Sequence, residues 1–477
     1  MASCCHSTLT GETACNFIKS FSKGFGRTEF LNMSRLYQLL HGARAVTLQR
    51  PASRLFHTSM CVAQDGREES IKSLQEKQYE DQRRRNAEAG ELTELVRDFL
   101  DPATFYRQLK SKDIDFFCGV PDSLLKDFCA YVTNNTPVEN HVITANEGNA
   151  LGLAAGYHMA TGRSALVYLQ NSGLGNTVNP LMSLALPSVY SIPMLMLIGW
   201  RGEPGKRDEP QHITQGQATP GLLAALGVPF QPLPDYEEGA ELALQSACHH
   251  METVKGPYAL LVRRQTFSPY KLPKKPQEYP LTREEALKLV INGLGHKDVV
   301  VSTTGMLSRE LYEYRMARED GHERDFLTVG SMGHASSIAL GIALQKHNRQ
   351  IYCIDGDGSV IMHMGTMATI GQRGPENLKH IIINNGAHDS VGGQPTDASN
   401  SEGFDFGTIA RGCGYKETLL AVTEEEVAAA VTRLRLTKGP LLLEIKIRLG
   451  ARKDLGRPKT KPIENKKDFM HFLALSK

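Results

Sequence analysis

Two side chains with oxygen ligands follow apolar segments in the second half of the sequence. Asp357 stands in the segment Ile-Asp-Gly-Asp-Gly-Ser (354–359), and Asn385 ends the segment Ile-Ile-Ile-Asn-Asn (381–385), 28 positions after Asp357. If the two segments are adjacent strands, their ends offer oxygen ligands to an octahedral divalent cation. The backbone N–H groups that follow Asp357 would open a helix and suit a phosphate. The spacing therefore predicts a site for a metal ion and a diphosphate.

Glycine-rich segments of this kind also occur in EF-hand loops, in dinucleotide-binding turns and in turns that bind nothing. An EF-hand loop that begins at Asp355 needs a bidentate Glu at its twelfth position, where Thr366 stands. A dinucleotide fingerprint at Gly173-Leu-Gly175 lacks its third glycine, because Val178 occupies that position. A strand-to-helix turn that binds no ligand stays open as an alternative.

A carboxylate in the first half of the chain also stands where a strand is expected to pass into a helix. Glu147 lies in the segment Thr-Ala-Asn-Glu-Gly-Asn-Ala-Leu-Gly-Leu-Ala-Ala-Gly-Tyr (144–157), whose small residues would let a planar ring approach closely. An acidic residue in the first turn also stabilises a helix through the helix dipole. Both a ligand-binding role and a capping role are open for Glu147.

These residues are positioned by strands and helices that alternate from about residue 101 onward. The expected strands are apolar runs, which favour parallel sheets covered on both faces. We predict an α/β protein with two domains, at 101–270 and 283–450, each a mostly parallel sheet flanked by helices. A proline-rich linker at 271–282 would join them, and a basic tail would follow at 451–477.

The Gly-Asp-Gly segment, the Asn-Asn pair and the Glu147 segment together resemble the thiamin diphosphate (ThDP) enzyme family. The resemblance implies a ThDP-binding fold in each domain: the first binds the pyrimidine of the cofactor (PYR domain) and the second its diphosphate (PP domain). It also implies that Asp357, Asn385 and the carbonyl of Ala387 ligate Mg²⁺, and that Glu147 hydrogen-bonds the pyrimidine as a catalytic residue. Only 210 positions separate Glu147 from Asp357, so a middle domain has no room.

Two further segments, Thr-Thr-Gly-Met (303–306) and Val-Gly-Ser-Met-Gly (329–333), match cofactor-contacting segments of that family. Met332 would support the bend of the cofactor, although a single Met more often packs in a core. The residues that the resemblance implies for cofactor binding are Glu147, Thr304, Gly305, Gly330, Ser331, Met332, Gly356, Asp357, Gly358, Ser359 and Asn385.

Within that family, residues 101–477 resemble the group of decarboxylases that act on phosphonopyruvate or sulfopyruvate. Because the sulfonate enzymes are often split into two chains, we predict ThDP- and Mg²⁺-dependent conversion of 3-phosphonopyruvate to phosphonoacetaldehyde and CO₂. The alternatives are sulfopyruvate decarboxylation and another ThDP-dependent keto-acid decarboxylase or carboligase. A phosphonate dianion needs fixed cations or N–H donors. The predicted substrate-binding residues are Arg201, Arg207, His212 and His388.

Asp122 and His388 are further catalytic candidates, for the protonation that follows loss of CO₂. Asp122 stands in a Gly-Val-Pro-Asp turn (119–122) after an expected strand, where an Asp is more often a helix N-cap. His388 lies in the segment Asn-Gly-Ala-His-Asp-Ser-Val-Gly-Gly-Gln-Pro (385–395), and a buried, satisfied His is the ordinary alternative.

The first 64 residues differ from the rest of the chain in charge. They hold seven Lys or Arg and two Glu, and from residue 33 to residue 64 they hold no acid. An Arg-rich, acid-poor N-terminus predicts a mitochondrial transit peptide at 1–64 and therefore the mitochondrial matrix, with the cytoplasm and a basic tail without an address as alternatives. A charged linker that turns into a first helix is expected at 65–100.

The overall composition excludes several classes of partner. The formal net charge of +2 gives no support for nucleic-acid binding, and no apolar run is long enough to span a membrane. Nine cysteines without a C-x-x-C pair argue against a disulfide framework and a structural zinc site. The expected partners are a small phosphonate keto acid and further copies of the chain. In a homodimer or larger homo-oligomer, Glu147 of one subunit would face Asp357 of another.

Overall fold

Two six-stranded parallel sheets, each covered by helices on both faces, account for most of the described structure. This computed structural model describes residues 99–273, 279–400 and 402–475. The predicted transit peptide at 1–64, and nearly all of the predicted linker and first helix at 65–100, lie outside the described residues. Both sheets belong to one compact unit.

The first sheet is built from strands in the region predicted as the PYR domain. Its strands are β1 (Phe117–Gly119), β2 (His141–Ile143), β3 (Ala165–Gln170), β4 (Met194–Gly199), β5 (Phe230–Pro232) and β6 (Tyr258–Val262). They are all parallel and are arranged in the order β2-β1-β3-β4-β6-β5. The central strands β3 and β4 are apolar and buried along almost their whole length, as a sheet with helices on both faces requires.

Six helices flank this sheet. They are α1 (Pro102–Ser111), α2 (Lys126–Asn135), α3 (Glu147–Thr161), α4 (Leu174–Pro180), α5 (Pro210–Ala225) and α6 (Glu237–Thr253). Phe105, Phe128 and Leu244 of α1, α2 and α6 pack in the core on one face of the sheet. Leu151 and Leu223 of α3 and α5 pack in the core on the other face.

The second sheet repeats this architecture in the region predicted as the PP domain. The strands of this region are β7 (Val299–Ser302), β8 (Asp325–Leu327), β9 (Ile351–Gly356), β10 (Leu378–Asn384), β11 (Ala387–His388), β12 (Gln394–Pro395), β13 (Glu417–Ala421) and β14 (Leu441–Lys446). Six of them form a parallel sheet in the order β13-β14-β10-β9-β7-β8, whereas β11 and β12 form a small antiparallel ribbon.

The described part of the second half of the chain contains eight α-helices. They are α7 (Arg283–Asn292), α8 (Met306–Ala317), α9 (Ala335–Ala343), α10 (Asp357–Met362), α11 (Gly365–Arg373), α12 (Phe406–Cys413), α13 (Glu424–Leu436) and α14 (Pro462–Ala474). The predicted α/β fold with two parallel sheets is therefore confirmed. Among the described residues, no helix is both long enough and apolar enough to cross a bilayer.

The segment predicted as a basic tail contains an ordered helix, α14, which packs on the edge strand β8. The amide of Asn465 donates to the carbonyl of Asp325 (2.8 Å) and accepts from the N–H of Leu327 (3.1 Å). Phe469 and Leu473 lie one helical turn apart and are buried in the core. The overall positive charge of this segment concealed this apolar stripe, which covers an otherwise open edge of the sheet.

Candidate active site

Asp357 and Asn385 meet at the carboxyl edge of the second sheet. The strands β9 and β10 are parallel neighbours, and Gly356 at the end of β9 is paired with Ile383 on β10. Asp357 follows as the first residue of α10 and is only 4% exposed. The hydroxyl of Thr396 donates to its carboxylate (2.6 Å), and the backbone of Asn385 lies close enough to stabilise its charge. The two predicted metal ligands are therefore adjacent.

The protonation state of Asp357 depends on whether a cation is bound at the carboxyl edge of the second sheet. Burial raises the pKa of Asp357 to about 6, although the hydrogen bonds from Thr396 and the backbone oppose the shift. A buried carboxylate without a cation is costly, and a divalent cation would remove that cost. The oxygen ligands of Asp357 and Asn385 and the carbonyl of Ala387 in the next strand fit the Mg²⁺ that the sequence predicted.

The consecutive residues Asn384 and Asn385 have different structural roles. The amide of Asn384 donates to Glu444 on β14 (2.8 Å) and accepts from the N–H of Gly386 (2.9 Å). The side-chain oxygen of Asn385 accepts one hydrogen bond, from the N–H of Ala387 (3.1 Å). Because an amide oxygen has two lone pairs, the second lone pair can bind a cation. Asn384 therefore shapes the loop that presents Asn385.

Ser359 connects α10 to two other cofactor-contacting segments of the prediction. Its hydroxyl accepts from the N–H of Gly333 (3.0 Å) and shares a hydrogen bond with the hydroxyl of Thr303 (2.9 Å). These two contacts hold the segments that contain the predicted residues Thr304, Gly305 and Gly330 to Met332 next to α10. Gly356 is the N-cap of α10, and Gly358 is the second residue of that helix. Ser359 makes internal hydrogen bonds that fix this arrangement, a role that the sequence did not reveal.

The segment 329–333 has an unusual backbone. Ser331 has a positive φ of 55° although it is not a glycine, and Gly333 has a φ of 87°. A Cβ atom on Gly333 would approach the ring of His363 to 2.5 Å. Strained backbone of this kind collects at functional sites, where the surroundings hold it in place. Met332 lies half-buried between these two positions.

Glu147 is buried at the first position of α3 and is not the cap of that helix. The side chain of Asn146 is the N-cap, since it accepts from the N–H of Asn149 (3.0 Å). Glu147 is 4% exposed, and its carboxylate accepts from the amide of Asn176 (2.7 Å). Gly173 lies directly against the same carboxylate, where a Cβ atom would overlap it. The sequence did not predict that Asn176 and Gly173 contact Glu147, and this arrangement appears only in the structure.

We expect Gly173→Ala to lower kcat/KM by about 10²-fold, because the added methyl group would displace the Glu147 carboxylate and misplacement by an ångström is costly in catalysis. Steady-state kinetics measures the loss, and thermal unfolding verifies that the variant is folded. Gly175→Ala is the matched control, since a Cβ atom on Gly175 would have open space around it. Equal activity of the two variants would contradict the role of Gly173.

The carboxyl edges of the two sheets face each other within one chain. The amide of Asn146 donates to the carbonyl of Met362 at the end of α10 (3.3 Å), and the amide of Gln211 donates to the carbonyl of Val329 (2.7 Å). These two contacts join the sheet edges within a single chain. The predicted arrangement, in which Glu147 of one subunit faces Asp357 of another, stays a prediction.

Asp122 is completely buried after β1. Its carboxylate accepts from the amide of Gln170 and from the N–H of Leu124 (2.8 Å), so it closes a turn. Helix α2 begins only at Lys126, and its N-cap is Leu125. Burial raises the pKa of Asp122, which favours the protonated form that a proton donor needs.

His388 lies on the ribbon strand β11, against α10. A Cβ atom on Gly358 would lie 3.1 Å from the imidazole carbon Cε1 of His388. Burial lowers the pKa of His388 to about 4, so the imidazole is neutral at pH 7. A neutral His388 can share a hydrogen bond with a substrate, but it adds no positive charge for a phosphonate.

Asp208 binds two of the predicted substrate-binding residues. It accepts from the guanidinium of Arg201 (2.8 Å) and from the imidazole of His212 (3.2 Å), and Arg201 also donates to the hydroxyl of Ser123 (3.0 Å). Burial, together with the charge of Arg201, lowers the pKa of His212. Arg207, the residue before Asp208, is exposed. Arg201 and His212 are thus brought together, and Asp208 balances the positive charge of Arg201.

Comparison with known proteins gives a consistent result. The N-terminal TPP-binding domain of thiamine pyrophosphate enzymes matches residues 103–220, and the C-terminal TPP-binding domain matches residues 303–445. Phosphonopyruvate decarboxylase of Streptomyces viridochromogenes is 34% identical over 373 residues, which cover 75% of this chain and 90% of that protein. The protein of the same name from Streptomyces hygroscopicus is 34% identical over 370 residues (74% and 89%). Sulfopyruvate decarboxylase of Methanosarcina acetivorans is 27% identical over 390 residues (77% and 96%).

Proposed function

Since this chain belongs to the family of thiamine pyrophosphate (thiamin diphosphate) enzymes that includes phosphonopyruvate decarboxylase, we propose that it converts 3-phosphonopyruvate to phosphonoacetaldehyde and CO₂. One observation carries the proposal. The chain covers 90% of a phosphonopyruvate decarboxylase at 34% identity. The burial of Glu147 and Asp357 at facing sheet edges fits this assignment. The enzyme is accordingly a carboxy-lyase.

The side chains of the site fit the cofactor and its metal. Bound ThDP supplies a nucleophilic carbon for the keto group and an electron sink for the departing CO₂. Asp357, Asn385 and the carbonyl of Ala387 would hold Mg²⁺, and Glu147, fixed by Asn176, would accept a hydrogen bond from the pyrimidine ring. Asp122 would donate the proton that replaces CO₂, because burial raises its pKa and favours its protonated form.

A comparison of substrates tests the proposal. We expect kcat/KM for phosphonopyruvate to exceed kcat/KM for sulfopyruvate by at least about tenfold, which corresponds to about 1.4 kcal/mol. Sulfopyruvate decarboxylation remains the second candidate because the Methanosarcina relative is 27% identical over 96% of its length. Faster turnover of sulfopyruvate would overturn the assignment, and a condensation product from pyruvate alone would favour a carboligase.

We also propose a homo-oligomer, at least a homodimer, in which Glu147 of one chain faces Asp357 of another. If two chains exchange identical domains, the contacts between a PYR domain and a PP domain are kept but join different subunits. The hydrogen bonds of Asn146 and Gln211 would then form between subunits. Co-expression of Glu147→Gln and Asp357→Asn chains with different tags, followed by purification of the mixed dimer, is expected to restore about half of the wild-type activity. A mixed dimer without activity would place each complete site within one chain.

For the localisation, we propose that residues 1–64 direct the protein to the mitochondrial matrix, with the cytoplasm as the alternative. The excess of basic over acidic residues in this segment supports the proposal. A fluorescent protein fused to residues 1–64 should accumulate in mitochondria. A cytoplasmic distribution of that fusion would reject the proposal.

A further inference from the structure

A cleft of about 730 Å³ opens beside Asp122, and its walls carry several cations. It is lined by the segment that follows Asp122, by residues 264–272 after β6, and by Gly392 of the loop between β11 and β12. The charged residues that line it are Lys126, Asp127, Arg201, Arg264 and Lys271. Four of these five residues are basic.

Most of this positive charge is not neutralised by nearby carboxylates. Arg201 is paired with Asp208. Lys126, Arg264 and Lys271 form no ion pair with any carboxylate in residues 99–273, 279–400 and 402–475. Asp127, the acid that lines the cleft, accepts from the N–H of Tyr270 (3.1 Å). The cleft therefore has a local excess of positive charge in an enzyme whose overall charge is close to neutral.

Lys126 places a positive charge at the positive end of a helix, where Asp127 is the acidic residue of the first turn. Lys126 is the first residue of α2, where the helix dipole is positive, and Leu125 provides no side-chain cap for the helix. Gln265, next to Arg264, has a positive φ of 61° although it is not a glycine. An anion bound in the cleft would interact favourably both with Lys126 and with the start of this ten-residue helix.

The cleft is connected to the proposed proton donor and to the PP domain. Ser123 lines the cleft, donates to the carboxylate of Asp122 (3.4 Å) and accepts from Arg201 (3.0 Å). On the other wall, a Cβ atom on Gly392 would lie 3.1 Å from the Cβ atom of Lys126. The amide of Gln394 on β12 donates to the Lys126 carbonyl (3.4 Å). An anionic group in the cleft would thus lie near Asp122 and near the ribbon that carries His388.

We propose that this cleft binds the phosphonate end of the substrate, with Lys126 and Arg264 as direct contacts and Arg201 as a fixed charge held by Asp208. The inference rests on the proposed function and specifies which cations serve it. Two exposed cations without a carboxylate partner and one cation held by Asp208 suit a dianion better than a sulfonate monoanion, because each cation attracts a dianion about twice as strongly as a monoanion. Substitution of one cation should therefore affect phosphonate binding more than sulfonate binding.

The test uses the full-length enzyme loaded with ThDP and Mg²⁺. We expect Lys126→Met and Arg264→Met each to raise KM for phosphonopyruvate about tenfold, with kcat within about twofold of wild type. The inhibition constant of methylphosphonate should rise in parallel, and that of methanesulfonate should rise less. Lys126→Arg should retain wild-type KM. Lys110→Met is the matched control, because Lys110 is an exposed cation on α1, outside the cleft.

The failure of this inference can be distinguished from the failure of the proposed function. If phosphonopyruvate is turned over and both Met variants keep wild-type KM and inhibition constants, the cleft does not bind the phosphonate and the inference is overturned. If phosphonopyruvate is not turned over but methylphosphonate still binds in a Lys126-dependent manner, the cleft inference holds and the proposed reaction is wrong. A loss of kcat without a change in KM in the Met variants would also overturn the inference.

Discussion

Glu147→Gln should lower kcat by at least about 10³-fold, or about 4 kcal/mol, while ThDP remains bound. Glutamine has nearly the same shape and can still accept a hydrogen bond from Asn176, so the site should keep its geometry. The substitution removes the negative charge that would strengthen the hydrogen bond to the pyrimidine. Single-turnover kinetics and ThDP titration by calorimetry separate the loss of chemistry from a loss of binding.

Glu139→Gln is the matched control for this substitution. Glu139 is exposed and lies just before β2 in the same domain, so its substitution should leave kcat unchanged. Full activity of Glu147→Gln would reject the catalytic role. Loss of ThDP from that variant would show that Glu147 serves binding or folding instead.

Asp357→Asn should weaken ThDP binding in the presence of Mg²⁺ but stabilise the metal-free protein. It removes the only carboxylate of the proposed Mg²⁺ ligand set, so ThDP affinity in the presence of Mg²⁺ should fall by at least about 10²-fold, or about 3 kcal/mol. The metal-free variant should instead be more stable than the metal-free wild type at pH 7.5. Calorimetric titration measures the first effect and thermal unfolding the second.

The expected pH dependence follows from the raised pKa of Asp357. In the unfolded chain this carboxyl ionises near its ordinary pKa of 3.8, but burial raises its pKa in the folded protein to about 6. Ionisation therefore destabilises the metal-free wild type above pH 6, by up to about 3 kcal/mol, and this cost disappears below about pH 4. The stabilisation by Asp357→Asn should vanish over the same range. Asp454→Asn is a control, since Asp454 is 81% exposed.

Local patterns in the sequence determined the secondary structure and the motif residues. Apolar runs such as those of β3 and β4 require burial on both faces, and this identifies a parallel sheet. Asp357 and Asn385 follow two such runs, and strands that are parallel neighbours end at the same edge. Their adjacency could be predicted because it depends only on strand direction and order, not on the shape of side chains.

Other features of the site depend on distances between segments far apart in the chain. The contact of Gly173 with Glu147 joins the segment after β3 to the start of α3, and the ion pair of Arg201 with Asp208 closes the segment between β4 and α5. Sequence reasoning treated Arg201 as a free cation, because a motif shows residue types but not their partners. For the same reason, the positive charge of the C-terminal segment did not indicate that α14 has a buried apolar stripe.

The sequence by itself determined the fold class and the cofactor family and predicted the residues of the metal site, because apolar runs and motifs at strand ends are local features of the chain. Only the tertiary structure decided that Asn146 rather than Glu147 caps α3, and that the two sheet edges can face each other within one chain. Only the structure also brought Lys126, Arg264 and Lys271 to one cleft. These arrangements depend on packing between distant elements, and local composition does not encode the distances that packing sets.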